Sequence, residues 1–300
     1  MNKLSALVKR NTKLYFKDKG MFFSSLITPM ILLVLYATFL KKVFDDSFRG
    51  ALTAAGARIS DSVLNGCVGG QLISSLLAVS CVTVAFCSNL LMIKDKTSGA
   101  VKDLTISPVK LSTLGLGYYI STLISTLIIS FSALIVCLVY LGFVGWYLTF
   151  GDILLIILDV FLLTMFGTAF SSVVNFFLST DGQASAVGTI VSAGYGFICG
   201  AYMPISNFGG TLQKVLSFLP GTYGTSLLRN HIMCGVFSEM GKQGFPTDVV
   251  TMIKDSVDCN MSFFGKDVSI GAMYGILCGS IVLLVLVYTV MNLTVGKRKR

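Results

Sequence analysis

Long runs without a charged side chain dominate this sequence, and residues 114–143 form the clearest of them. An α-helix needs about 20 consecutive, mostly apolar residues to cross the hydrocarbon core of a bilayer. Over all 300 residues, 54% are apolar and 12% are charged, whereas about a quarter are charged in an ordinary soluble domain. The sequence therefore predicts an all-α integral membrane protein that forms a single transmembrane domain.

Six runs are long enough to be transmembrane helices. The predicted spans are residues 21–40, 63–93, 114–143, 153–178, 184–203 and 270–295. Pro29 should kink the first span, because a proline inside a helix removes a backbone hydrogen bond. The first run is too long for the apolar core of a signal peptide, so we expect it to remain in the mature protein.

Basic residues predict the orientation. Lys and Arg number 23 against 14 acidic residues, and such an excess collects on the cytoplasmic side of membrane proteins. With six spans, residues 1–20, the loop 94–113 and the KRKR tail all fall on one side. We therefore expect both termini to be cytoplasmic, in the cell (cytoplasmic) membrane.

Residues 1–20 have the pattern of an amphipathic helix. Leu4, Leu7 and Leu14 share one helical face, and lysines occupy much of the remainder. This pattern predicts an interfacial helix that lies on an anionic leaflet. The alternative is a basic flank that only orients the first span.

Residues 204–235 predict two short helices between the fifth and sixth spans. Apolar residues in 205–219 recur at helical spacing, but the segment is too short to cross a bilayer. Pro220 should separate it from a second short amphipathic helix that carries Tyr223. Non-spanning backbone at membrane depth must be helical or enclosed in protein, so a re-entrant or surface-lying pair fits. Residues 236–269 are polar and predict an external cap, with a helix near 249–257.

Six of the eight cysteines lie in apolar runs, as small core residues do. Cys234 and Cys259 lie in a polar stretch and could form a disulfide on an oxidising outer side. No pair has C-x-x-C spacing, so the sequence predicts no metal site.

Polar side chains within the spans are candidates for a translocation path. An intramembrane carboxylate such as Asp159 is costly and must face a polar cavity or a partner. It could contact substrate or carry a proton, but we favour a structural pairing with a polar residue of a neighbouring helix. The other candidates, which could equally bridge helices, are Asn65, Gln71, Asn89 and Asn175.

Two stripes of small residues repeat every four positions. They are Ser192, Gly196 and Gly200 in the fifth span, and Gly271, Gly275 and Gly279 in the sixth. Small residues at this spacing let helix backbones approach closely. The stripes predict either a dimer interface or contacts within one subunit.

Two loops carry spaced patterns. The segment KDKTSGAVKDLTISPVKLSTLGLG follows the second span, and YMPISNFGGTLQKVLSFLPGTYGTSLLRNHIMCG follows the fifth. With the N-terminal helix that ends in KDKG, they resemble permease subunits of type-2 ATP-binding-cassette exporters (the ABC-2 family), of the multidrug or antimicrobial-peptide type. In the first loop the family typically has an acidic residue, then Gly-Thr, then Leu and Pro; Asp95, Gly99, Leu104 and Pro108 fill these positions here. Before the last span it has a Pro followed by an aromatic residue and an Arg, and this pattern is filled by Pro220, Tyr223, Arg229 and Gly235. Asp95 replaces the usual Glu, and Ala100 stands where Thr is usual.

The resemblance implies a six-span permease that pairs with a second copy or a similar permease and with two cytoplasmic ATPase subunits. The ATPase-coupling residues it implies are Lys9, Arg10, Lys17, Asp95, Lys96, Gly99, Lys102, Asp103, Leu104 and Pro108. The external re-entrant motif it implies comprises Pro204, Pro220, Tyr223 and Arg229. A permease without a fused ATPase is most typical of bacteria.

The chain contains no G-x-x-x-x-G-K-[ST] motif, so we expect ATP and Mg²⁺ on the partner ATPase and no cofactor bound directly. H-E-x-x-H and G-x-S-x-G motifs are also missing, and the sole histidine, His231, has the expected role of a structural residue. The sequence thus predicts a transport subunit rather than an enzyme.

Three functions remain. The leading one is ATP-driven outward export of a hydrophobic or amphipathic compound, such as a drug, antimicrobial peptide or lipid-like molecule, by alternating access. The second is a proton-coupled or passive transporter that uses Asp159. The third is a non-transporting ligand sensor or immunity protein.

Overall fold

The computed structural model describes residues 3–54, 60–106 and 109–298, and nearly all of them are helical. The helices are α1 (Lys3–Lys17), α2 (Lys19–Leu35), α3 (Lys41–Ala54), α4 (Asp61–Ser88), α5 (Leu90–Thr97), α6 (Ala100–Ile106), α7 (Leu111–Val144), α8 (Phe150–Phe176), α9 (Asp181–Ile198), α10 (Gly210–Leu216), α11 (Pro220–Lys242), α12 (Thr247–Ser256) and α13 (Ile270–Arg298). The prediction of an all-α membrane protein is confirmed.

Five helical segments of the described chain are long and apolar enough to cross a membrane. They are Lys19–Gly50, Asp61–Thr97, Leu111–Val144, Phe150–Phe176 and Ile270–Thr294. These correspond to the first, second, third, fourth and sixth predicted spans. The fifth predicted span corresponds to α9, which has 18 residues and starts at Asp181. Because α9 is shorter and more polar, the prediction of six spans is not confirmed.

The first span contains Pro29, where a kink was predicted, and an irregular turn that was not predicted. α2 stays helical through Pro29, and a π-helical turn follows at Tyr36–Leu40. The backbone N–H of Lys41 donates to the carbonyl of Tyr36, five residues earlier. Such a turn widens the helix locally, and α3 continues from it with a pronounced apolar face.

α4 is the central helix of the bundle. It packs against α2, α7, α8, α9 and α11, and nearly all of its residues are buried. At Gly167 of α8 an added Cβ would stand 2.9 Å from the carbonyl oxygen of Cys81. This glycine therefore lets the backbones of α8 and α4 touch.

The bundle has two distinguishable ends. We call the end that carries α1, α5 and α6 the α1 end. The opposite end carries α12 and a hairpin of two strands, β1 (Met261–Phe263) and β2 (Lys266–Val268), which pair antiparallel with Met261 opposite Val268; we call it the cap end. Phe264 and Gly265 turn the hairpin, both with positive φ, as a type I′ hairpin turn requires.

The segment after α9 is only partly as predicted. A 3-10 turn at Ile205–Asn207 and α10 replace the predicted helix over 205–219. The second predicted short helix is instead α11, a 23-residue helix that continues through Gly235. It is buried for most of its length against α4, α8 and α13. Because several helices surround α11, its apolar residues are not confined to one face. Its sequence therefore lacks the amphipathic pattern that would have predicted a helix of this length.

Gly224 and Gly235 show how α11 lies in the bundle. Gly224 packs against Leu163 in the middle of α8, and Gly235 packs against the backbone of Tyr147, which precedes α8 at the cap end. α11 therefore starts beside the middle of α8 and runs towards the cap end. α12 occupies the region in which a helix near 249–257 was predicted.

Candidate functional site

α1 packs along the bundle through one face of the helix, as its amphipathic pattern predicted. Leu7, Asn11 and Tyr15 are buried, and the Tyr15 hydroxyl donates to Ser25 Oγ at 2.6 Å. The lysines of α1, including Lys9 and Lys17, are exposed. The helix therefore rests on α2 and α7 and turns its charge outwards.

Arg10, Asp95 and Tyr118 connect α1 to two other helices. Arg10 Nη1 and Nη2 lie 2.7 and 3.3 Å from the two carboxylate oxygens of Asp95 in α5. The Tyr118 hydroxyl of α7 donates to the same carboxylate at 2.6 Å. The bond to Asp95 raises the pKa of the Arg10 guanidinium above its usual range. The cluster thus links α1 to both α5 and α7.

Asp95, one of the coupling residues that the resemblance implies, is buried. Only 8% of its side chain is exposed, against 32% for Arg10. A carboxylate this enclosed requires charged and hydrogen-bonding partners, and Arg10 and Tyr118 supply them. Asp95 therefore acts inside the helical bundle and is not part of its exposed surface.

Lys96 is likewise turned inwards. Its Nζ donates to the carbonyl oxygens of Asn175, Phe176 and Leu178 at 3.2, 2.9 and 2.9 Å. The first two carbonyls end α8 and the third lies just beyond it, and a helix favours a cation at this end because its last carbonyls lack intrahelical partners. Lys96 thus fastens α5 to α8 instead of facing outwards.

Asp18 joins α1, α2 and α5. Its carboxylate accepts from the backbone N–H of Met21 at 3.1 Å, capping α2, and from Lys94 Nζ at 2.6 Å. These contacts, with Lys94 the largest, lower the pKa of Asp18. About half of the Lys94 side chain remains exposed.

α6 presents the outward-facing part of the loop. Gly99, at φ +82°, makes the turn from α5 to α6. Leu104 packs in the same apolar cluster as Leu7 of α1, whereas Lys102 and Asp103 are exposed. The predicted coupling residue Pro108 lies outside the described residues. We call the exposed side chains of α1 and α6 at this end, including Lys9, Lys17, Lys102 and Asp103, the coupling surface.

The predicted path residues do not converge on one place. Asn89 Nδ2 contacts Ser171 and Ser172, each at 3.2 Å, at the α1 end. Gln71 is fully buried in α4, and neither of its side-chain polar atoms has a partner among the described residues. Asn65 is partly exposed near the start of α4, and Asn175 is buried beside Lys96 at the end of α8.

Asp159 is paired inside the bundle. Its two carboxylate oxygens lie 2.6 Å from His231 Nδ1 of α11 and 2.6 Å from the Tyr274 hydroxyl of α13. A structural pairing was favoured from the sequence, but its partners were missed because His231 was placed in an external helix. The sequence carried one signal of this pair. Asp159 is a carboxylate inside a predicted span, His231 is the sole histidine, and neither had another assigned partner.

At the cap end Arg229 and Asp258 form an enclosed cluster. Arg229 is 1% exposed; it donates to the Gly200 carbonyl and lies 3.3 Å from Asp258. Asp258 also accepts from the backbone N–H groups of Ile205 and Ser206. The cluster joins α11 to the segment after α9 and to the end of α12. Asp258 was missed from the sequence.

The other predicted motif residues lie in the same region. Pro220 starts α11, and the Tyr223 hydroxyl donates to the Ser217 carbonyl at 2.6 Å. Pro204 precedes the 3-10 turn. The motif is thus a structural brace for the start of α11.

Cys234 and Cys259 are not joined and carry free thiols, Cys234 exposed and Cys259 buried. Burial raises the pKa of Cys259 to about 12. Within the described part of the chain, no group of three or more His, Cys, Asp and Glu side chains is arranged to hold a metal ion.

The two small-residue stripes differ. A Cβ on Gly196 would collide with the Tyr202 ring, and one on Gly200 with Ile205, so the α9 stripe is covered by its own chain. At Gly271, Gly275 and Gly279 an added Cβ would meet nothing within 4 Å. The structure therefore gives no support to a dimer interface at the α9 stripe. The α13 stripe is uncovered, so a dimer interface there stays a prediction.

The sequence model for ABC-2 type transporters matches residues 2–233, from α1 through most of α11. The match includes the Arg10–Asp95–Tyr118 cluster, α6 and the start of the cap-end brace. The chain belongs to the ABC-2 type transporter family. A search of curated proteins found no match.

Membership in this family defines the general role. The chain is a membrane permease subunit of an ABC transporter, and such permeases work with ATP-binding-cassette subunits. The coupling surface and the helices tied to it are therefore the candidate functional site.

Proposed function

We propose that this permease exports a hydrophobic or amphipathic compound by alternating access, energised by ATP hydrolysis on two separate ATPase subunits. Two permease copies, or this chain and a similar one, would form the transmembrane part. The compound would be a drug, an antimicrobial peptide or a lipid-like molecule. ATP and Mg²⁺ would bind to the ATPases.

The Arg10–Asp95–Tyr118 cluster is the observation that carries this proposal. It ties the surface helix α1 to the ends of the second and third spans through short charged hydrogen bonds. Hydrogen bonds to charged groups are stronger than neutral ones. A movement imposed on α1 or α6 by an ATPase would therefore move α5 and α7 with it.

The proposal includes an orientation. The α1 end would face the cytoplasm, because the exposed lysines of α1 lie there and cytoplasmic segments carry the excess of basic residues. With α9 as a sixth span, both termini lie on that side. α10 and α11 would then re-enter from outside, since α11 starts beside the middle of α8.

The proposal is tested by purifying the full complex from the native membrane. We expect a P-loop ATPase to copurify, and ATP-dependent accumulation of an exported compound inside inverted vesicles. Transport that persists without ATP would contradict the proposal and favour a proton-coupled or passive transporter. Ligand binding without stimulated ATP hydrolysis would favour a sensor.

Cys234 provides a direct test of the orientation. It is exposed on α11, towards the cap end, and a membrane-impermeant maleimide should modify it on intact cells. The variant Cys234→Ser should abolish this labelling, whereas Cys278→Ser, on the outer apolar face of α13, should not. Labelling of Cys234 only after cells are opened would reverse the orientation.

A further inference from the structure

A cavity of about 550 Å³ opens between α10 and the β1–β2 hairpin. Its lining includes Gln213 and Lys214 of α10, Asp255 near the end of α12, and Ser262 and Asp267 of the hairpin. Its volume falls within the roughly 300–1,000 Å³ typical of pockets for drug-sized ligands. We call it the hairpin pocket. It is separate from the coupling surface and from the Asp159 cluster.

The hairpin pocket lies beside the cap-end half of α8. α11 starts beside the middle of α8 and runs towards the cap end. Near the start of α11, Ser226 Oγ and Asn230 Nδ2 donate to the carbonyl of Cys259 at 3.1 and 2.7 Å. Cys259 immediately precedes residues 260–262, which line the pocket. Since α8 is long and apolar enough to cross a membrane, the pocket lies at membrane depth.

Polar groups at this depth determine what the pocket faces. Lys214, Asp255 and Asp267 line it and are exposed, and the hairpin brings two strand edges to the same depth. Charged side chains and open strand edges inside a membrane are tolerated only where they line a water-filled space or are enclosed in protein. The hairpin pocket therefore faces away from the acyl chains of the lipid.

The charges of the pocket favour a positive ligand. Asp258 also lines it but is paired with Arg229 at 3.3 Å. Asp255 and Asp267 take part in no ion pair among the residues that the structure describes. Lys214 is the only basic side chain of the described lining. Two unpaired carboxylates thus outnumber one lysine, and a cleft with an excess of one sign of charge concentrates ligands of the opposite sign.

Aromatic rings adjoin the charged part of the pocket. Phe264 lines it and is 58% exposed, and its ring centroid lies 5.7 Å from that of Phe218, which is 63% exposed. The face of an aromatic ring attracts cations, and the ring also offers apolar surface to a ligand. A hydrated inorganic ion would make no use of this surface. Carboxylates beside exposed rings therefore fit an organic cation with an apolar part.

We propose that the hairpin pocket binds the exported compound on its way outwards, and that this compound is an amphipathic organic cation. Its positive group would lie near Asp255 and Asp267, and its apolar part on Phe264 and Phe218. The assignment rests on the proposed export function and narrows its substrate class to positively charged amphiphiles.

The test uses photolabelling of the full-length permease in lipid nanodiscs, with three benzophenones that differ in charge. They are the cationic (4-benzoylbenzyl)trimethylammonium, the neutral 4-methylbenzophenone and the anionic 4-benzoylbenzoate. Adducts are located by mass spectrometry, with excess benzyltrimethylammonium as the competitor. We expect saturable adducts of the cationic probe in residues 205–217 and 255–267, and about fivefold less labelling there by each of the other two probes.

Matched variants define the role of each charge. Asp267→Asn removes a carboxylate of the pocket, whereas Asp248→Asn removes an exposed carboxylate of α12 outside it. Labelling by the cationic probe should fall about 2- to 5-fold in Asp267→Asn relative to Asp248→Asn. Lys214→Gln should raise the labelling about twofold, because the lysine repels the probe. All three side chains are exposed, so we expect the variants to fold.

A cysteine at Ser262 tests whether the pocket faces water. Ser262 is exposed on β1, and a charged maleimide should modify Ser262→Cys in the nanodisc. Leu283→Cys is the control, because Leu283 is exposed on the apolar surface of α13. It should stay unmodified, since a charged reagent does not enter the acyl chains.

Four results would overturn the proposal. They are equal labelling by the three probes, equal labelling of Asp267→Asn and Asp248→Asn, no modification of Ser262→Cys, and cross-links between two permease copies through the pocket, which would make it a subunit interface. The labelling needs no ATPase, so a labelled pocket with no ATPase partner would contradict the export function alone.

Discussion

The two ends of the bundle each hold an arginine–aspartate pair, and the pairs differ in how they are enclosed. At the cap end the exposed fractions of the Arg229 and Asp258 side chains are 1% and 7%, and backbone groups supply further hydrogen bonds to both. At the α1 end Arg10 is 32% exposed, and the pair lies beneath a surface of lysines. The enclosed pair braces the fold, whereas the Arg10–Asp95 pair, of which only the arginine is partly exposed, connects the surface to the spans.

The largest effect should come from breaking the enclosed pair. Arg229→Met leaves Asp258 buried without its cation, and loss of one partner of a buried ion pair costs about 3–5 kcal/mol. We expect a fall of this size in the free energy of unfolding of the purified permease, measured by denaturant titration. Lys242→Met in the same helix breaks an exposed pair and should cost under about 1 kcal/mol. Equal losses would remove the distinction between the ends.

The Asp159 cluster should give an intermediate effect. His231→Phe leaves a carboxylate oxygen of Asp159 unpaired, and an unsatisfied buried polar group costs about 1–3 kcal/mol. We expect that loss in the same titration, whereas Asp181→Asn at the exposed start of α9 should change stability by less than about 0.5 kcal/mol. Asp159→Asn should leave the ATP dependence of transport unchanged; transport that becomes independent of pH only in this variant would instead identify a proton carrier.

Breaking the Arg10–Asp95 pair should affect coupling more than stability. Arg10→Gln leaves a shorter, neutral polar side chain and removes the charge that holds Asp95. We expect a loss of about 1–3 kcal/mol in stability, because the buried Asp95 loses its cation but keeps the hydrogen bond from Tyr118, and a fall of about 2- to 30-fold in substrate-stimulated ATP hydrolysis by the complex. Lys13→Gln, on the exposed side of α1, is the control. A stability loss as large as that of Arg229→Met, with normal stimulation, would make this pair a second brace.

The smallest effect concerns Asp18 and depends on pH. Because its pKa is lowered in the folded state, its contribution to stability is present above its ordinary pKa of about 4 and is lost as the pH falls through the lowered value. Lys94→Gln should therefore lower the thermal midpoint slightly between pH 5 and 8, and the two proteins should converge below about pH 4. High salt should shrink the difference, since both side chains are partly exposed. A difference that grows in acid would contradict this account.

Much of the fold was accessible from the sequence, because spans are recognised by apolar length. Residues 114–143 and 270–295 match α7 and α13 closely. α11 was not recognised, since a helix surrounded by α4, α8 and α13 has no single apolar face. The π-helical turn was also missed, because no residue in Tyr36–Leu40 marks it as Pro29 marked the expected kink.

The candidate site was predicted only in outline. The amphipathic face of α1 and the position of the loop followed from periodicity and charge. The sequence did not predict which charged side chains face outwards. Asp95 and Lys96 adjoin the exposed Lys94 in sequence, but they turn towards Tyr118 and the end of α8. Pairings across about 80 residues, such as Arg10 with Asp95, depend on how the helices pack and leave no local pattern.

Photo-crosslinking from the two ends tests the central claim most directly. A benzophenone amino acid is placed at Lys102 on α6 or at Gln243 after α11, both exposed, and irradiated in intact cells. We predict an adduct with a P-loop ATPase from position 102 and none from position 243. An ATPase adduct from position 243, or none from position 102 when the permease is folded and active in export, would contradict the assignment of the α1 end as the coupling surface.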